Sequence, residues 1–109
     1  MSVYVVNKRT FKQKEDDLTF YVGRPTFFGN PYVIGKDGTR EEVVQKYKTK
    51  FFIPLLLKGD FYVMYILKTL AAIAKMKNLY LVCWCAPKAC HGDVIKEFLD
   101  RYNATGKWF

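Results

Sequence analysis

The chain has 109 residues, half of them apolar and 17% aromatic, with 18 Lys and Arg against ten Asp and Glu for a formal charge of +8. That composition excludes a disordered chain, and the length suits one domain with one hydrophobic core. The positive field favours polyanionic partners such as nucleic acid, nucleotides or an acidic protein surface, although the lysines are scattered and form no dense patch.

The opening MSVYVVNKRTF turns charged before it reaches a signal-peptide apolar core. The most apolar region, Phe51 to Met76, is broken by Pro54, Lys58, Gly59, Asp60, Lys68 and Lys75, short of the roughly 18 apolar residues a membrane span needs. A cytoplasmic protein with no membrane partner is therefore expected. Three cysteines, an odd number and all within eight positions, argue against a secreted disulfide framework.

In chain order, Val3 to Val6 reads as a first strand, Asn7 to Asp17 as a polar loop, and Leu18 to Val22 as a second strand ended by Gly23. The stretch GRPTFFGNPYVIGKDG, Gly23 to Gly38, is a long aromatic loop of a kind more often functional than idle. Thr39 and Glu42 form a capping-box pattern ahead of a helix with Val43, Val44, Tyr47 and Phe51 at helical spacing, and Pro54 is expected to end or kink it. Asp60 caps the next predicted helix, whose apolar stripe of Val63, Ile66, Leu67, Leu70, Ile73 and Ala74 runs to about Met76.

Leu79 to Val82 is a continuous apolar run, the mark of a buried, parallel-type strand. The last helix begins near His91 to Asp93 and packs through Val94, Ile95, Phe98, Leu99 and Tyr102. Asn103 to Phe109 is read as a tail, with Trp108 and Phe109 either docking on the protein's own surface or serving an interface in an oligomer. The order β, β, loop, α, α, β, loop, α predicts an α/β or α+β fold: one small sheet of about three strands with about three helices packed on it.

All three cysteines and the single histidine gather where the third strand passes into the last helix, in CWCAPKACHGD, Cys83 to Asp93. On an extended strand Cys83 and Cys85 would share one face and Trp84 the other. Two readings compete. In one, Cys83, Cys85, Cys90 and His91 hold a structural zinc, although C-x-C-x4-C-H is tighter than the usual paired knuckles. In the other, the helix start binds an anion beyond the carboxyl end of the strand, with Gly92 allowing close approach of the ligand to the backbone. A catalytic variant makes Cys83 or Cys90 the nucleophile, His91 the base and Asp93 the orienting or acid/base group. The anion-site reading requires no cofactor, and zinc is the one cofactor candidate.

GRPTFFGNPY and CWCAPKACHGDV together resemble the paired signatures of the DUF4326 family, a domain of unknown function found in phages, bacteria and archaeal viruses. Arg24, Pro25, Gly29, Asn30 and Pro31 match the first motif; Cys83, Cys85, Pro87, Cys90, His91, Gly92 and Asp93 match the second. The resemblance brings no activity, but it implies that the two motifs form one pocket, in a viral or mobile-element protein. A thermophilic source, with the host cytoplasm as the site of action, goes with that reading.

In such a pocket Arg24 would grip a phosphate or carboxylate, with Gly29 in the same loop and Asn30 reading a base or hydroxyl. Two functions are therefore expected: binding, with or without processing, of a nucleotide-like or phosphate-bearing small molecule; or binding of DNA, RNA or a host protein complex, with the Cys/His cluster structural.

Overall fold

The computed structural model describes residues 2–109. Its three strands, β1 (Val3–Asn7), β2 (Leu18–Tyr21) and β3 (Leu79–Cys83), form one all-parallel sheet in the order β1-β3-β2. Val3 and Leu18 both lie in register with Leu79, so the central strand aligns both edges from the same residue. Its apolar run is what a strand flanked on both sides requires.

Alternation along β3 divides the sheet. Leu79, Leu81 and Cys83 face the helices and join Val3 in the core. Tyr80 points the other way, stacked on Tyr4 with ring centroids 5.2 Å apart and covered by Phe11 of the 8–17 loop at 4.6 Å. Helices therefore cover one face and a loop the other.

The capping box is present. Thr39 Oγ1 accepts from the Glu42 N–H and Glu42 Oε1 accepts from the Thr39 N–H, opening α1 (Arg40–Lys46). Pro54 does not end this helical rod. The backbone widens into a π-helical turn, Tyr47–Phe52, and continues as α2 (Ile53–Lys58) with Pro54 in its first turn, where a missing N–H costs little. Because π-helical hydrogen bonds join residues five apart, Tyr47 and Phe52 come to one side, and both are fully buried. Gly59 stops the rod in a left-handed conformation, φ 66°.

Asp60 caps α3 (Phe61–Met76), accepting from the N–H groups of Tyr62 and Val63. Its buried residues Val63, Leu67, Leu70 and Ala74 are those of the predicted stripe, joined by Ala71, while Ile66 and Ile73 are half-buried at its margin. Neither α3 nor any other described helix is long and apolar enough to cross a membrane.

The last helix, α4 (His91–Thr105), outruns the predicted boundary at Tyr102. Asn103 stays helical and donates to the Ala71 carbonyl at 3.0 Å, tying α4 to α3. The tail folds back on its own helix: Trp108 stacks on Tyr102 with centroids 4.1 Å apart, and Phe109 meets Phe98 edge-on at 6.1 Å.

Candidate functional site

The carboxyl ends of β2 and β3 open on the same side, and the two signature loops that follow them meet there over the start of α4. Between them lies a cavity of about 370 Å³. The first loop contributes Gly23, Arg24, Asn30 and Tyr32; the second contributes Trp84, Cys85, Cys90 and His91. Arg40 comes from the first turn of α1, and Ile34, Val43 and Val44 supply apolar wall. No carboxylate lines it, so two guanidiniums set its charge.

His91 joins the halves. Its Nε2 lies 2.6 Å from the Val22 carbonyl oxygen, which can only accept, so Nε2 carries the proton. Nδ1 then presents a lone pair to the Cys90 thiol at 3.5 Å. Burial lowers the His91 pKa, with nearby Arg24 acting in the same direction, and the ring is held neutral.

Cys90 is the N-cap of α4. Its sulfur accepts from the Gly92 N–H at 3.5 Å, while Asp93 Oδ2 accepts from the Cys90 N–H at 3.0 Å, a capping box built on sulfur. The single Cys90 S–H is shared between His91 Nδ1 and the Cys83 sulfur. The bond to Cys83 lowers the Cys83 pKa to about 6 despite burial, and it raises that of Cys90. Cys83 and Cys90 are 1% and 2% exposed, so neither offers a sulfur to solvent.

Several expectations change at this junction. β3 ends at Cys83, which enters the core, and Cys85, past the end of the strand, is half-buried, packs against that same core and lines the cavity. Trp84, expected on the opposite side from the cysteines, hydrogen-bonds to Tyr21 and lines the cavity as well. Among the described residues no group of three or more His, Cys, Asp or Glu is arranged to hold a metal ion, and both His91 nitrogens are engaged within the protein.

Gly92 does not face the cavity. A Cβ there would lie 3.0 Å from Val5 Cγ1, so the glycine lets the start of α4 press against β1 rather than letting a ligand in. Gly29 serves the first loop in a similar way, since a Cβ would come within 3.0 Å of the Arg24 backbone. Asn30 lines the cavity, but its amide is also engaged: Nδ2 donates to the Val43 carbonyl at 3.2 Å and Oδ1 accepts from the Tyr32 N–H at 2.9 Å. Tyr47 reinforces the same loop by donating to the Phe28 carbonyl at 2.7 Å.

Arg40 and Trp84 were not singled out as site residues by the sequence reading. Arg40 carried a signal: a cation in the first turn opposes the helix dipole, where Glu41 and Glu42 are the expected kind of residue. It donates to the Ala89 carbonyl at 3.3 Å and so bridges α1 to the second loop. Trp84 had no such signal, because its placement depends on where β3 stops.

A small all-parallel sheet with helices on one face and a cationic, aromatic-lined cavity past the strand ends defines a single-sheet α/β domain. The family model for DUF4326, a domain of unknown function, matches residues 5–101, and the chain belongs to that family. It is similar to the "Uncharacterized 12.4 kDa protein in nrdA-td intergenic region" of Enterobacteria phage T4, at 33% identity over 94 residues that span 85% of this chain and 78% of the phage protein. No solved structure gives a significant match.

Proposed function

We propose that the chain binds a nucleotide-like or phosphate-bearing small molecule in the cavity between its two signature loops. The observation that carries this reading is the pairing of Arg24 and Arg40 on a concave wall without a carboxylate. Guanidinium forks suit phosphate oxygens, and a cavity past the carboxyl ends of parallel strands is the customary ligand position of such sheets. The frame around it is hydrogen-bonded through Asn30, Tyr47 and His91 before any ligand arrives. Cys90, His91 and Asp93 are committed to that frame, so the reading is binding, and no bond-making step is assigned to them.

Calorimetric titration with inorganic phosphate and phosphate monoesters tests it. Binding that falls about tenfold in Arg24→Ala and in Arg40→Ala, with the fold intact, is the expected result. Equal affinity in both variants and the parent protein would remove the site.

A second reading is favoured by one observation. Leu57, Phe61, Tyr62, Tyr65 and Met76 are each more than 60% exposed along α2 and α3, an apolar surface of the sort that engages a protein partner. For a chain with a phage relative, a host protein complex is a natural candidate for that surface, while the net charge favours DNA or RNA as a separate partner. Nucleic-acid binding would weaken steeply with salt, whereas docking through this apolar surface would not.

A further inference from the structure

We propose that Trp84 is a base-stacking surface, so that the ligand of the cavity is a nucleoside phosphate rather than a sugar phosphate or free phosphate. This rests on the phosphate-site reading above and narrows it.

The indole has an unusual combination of exposure and restraint. Trp84 is 51% exposed and lines the cavity, yet its ring is fixed from two sides. Its Nε1–H donates to the Tyr21 hydroxyl at 2.8 Å, and that hydroxyl donates in turn to the Arg24 carbonyl at 2.8 Å. Lys8 Nζ stands 5.5 Å from the indole centroid and 4.9 Å from that of Tyr21. Lys8 is itself positioned by its backbone N–H, which donates to the Cys83 carbonyl at 2.7 Å.

A tryptophan that served only packing would be buried, and one that merely sat on the surface would need no partner for its N–H. Here the ordering entropy of a large aromatic ring is already spent in the free protein, which is what a stacking platform requires. The same Tyr21 hydroxyl anchors the backbone of Arg24, so the aromatic surface and one phosphate-binding guanidinium are set at a fixed spacing. Any base presents a π-face to such a ring, which makes the platform selective for bases over sugars and tolerant among bases.

The test uses the full chain carrying Trp108→Phe, which leaves Trp84 as the sole indole and conserves the aromatic contact of the tail with Tyr102. AMP, CMP, ribose 5-phosphate and inorganic phosphate are titrated by fluorescence and calorimetry. Both nucleotides are expected to quench Trp84 and to bind roughly ten- to a hundredfold tighter than ribose 5-phosphate. In the parent protein, Trp84→Leu should bring AMP and CMP down to the affinity of ribose 5-phosphate, and Trp84→Phe should restore most of the surplus.

Ribose 5-phosphate binding as tightly as AMP, or a surplus that survives Trp84→Leu, overturns the stacking role and leaves the phosphate site standing. Failure of all four probes to bind overturns both. Should Trp84→Leu not fold, saturating AMP without quenching in the Trp108→Phe chain overturns the stacking role by itself.

Discussion

His91 Nε2–H donates to the Val22 carbonyl at 2.6 Å, joining the first residue of α4 to the residue that follows β2. The two residues lie 69 positions apart, and the bond closes the rear of the cavity. Because the ring is buried and neutral, this joint is sensitive to acid.

The sign follows from the lowered pKa. The unfolded chain takes up a proton on His91 near the ordinary value of 6.5, while the folded chain resists until lower pH. The His91 contribution to stability is therefore fully present above about 6.5 and declines as pH falls towards the folded pKa. Thermal unfolding between pH 7.5 and 5 should show a falling midpoint that flattens in His91→Ala. That variant should also lose about 2 kcal/mol at pH 7.5, since it leaves the Val22 carbonyl unpaired. An equal slope in both proteins would assign the acid sensitivity elsewhere.

Asn30 discriminates between bracing and recognition. It is 7% exposed and bonds both Val43 and Tyr32. Asn30→Ala should cost about 2 kcal/mol in urea unfolding, because two backbone groups lose their partner. A variant of undiminished stability that no longer bound phosphate would instead make Asn30 a direct ligand contact.

For the cysteines, access and thiolate character oppose each other. Cys83 has the lowered pKa but is 1% exposed, whereas Cys85 is half-buried and lines the cavity. Access should win: brief iodoacetamide treatment of the folded protein at pH 7 should label Cys85 alone, with Cys83 and Cys90 labelled only in denaturant. Peptide mass mapping reads this directly. Chelator treatment should leave the unfolding temperature unchanged; a fall of several degrees together with one zinc per chain would restore the four-ligand metal site.

What the sequence made legible was whatever depends on local chemistry. The Thr39–Glu42 capping box, the Asp60 cap, the α3 stripe and the uninterrupted Leu79–Val82 run each follow from spacing or side-chain type within a few residues, and all four are present. The convergence of two motifs on one cavity came from resemblance, since nothing local places Arg24 beside Cys90. Features set by tertiary competition were not legible. The π-helical turn brings Tyr47 and Phe52 into one core, and nothing in the local sequence announces it ahead of Pro54. The tail boundary near Tyr102 falls short because Asn103 finds its partner on α3.

The strand order has a consequence for how the molecule comes into being. Both edge strands pair only with β3, the last to be synthesised, so nothing before Leu79 can form any part of the sheet. A ribosome that has delivered β1, β2 and most of the helical rods has delivered two strands with no neighbour, and all sheet pairing is deferred to the arrival of one five-residue segment. That segment leads directly into the second signature loop. The chain therefore acquires its sheet and its cavity late and within a few residues of each other, and a nascent chain stopped short of Leu79 possesses neither.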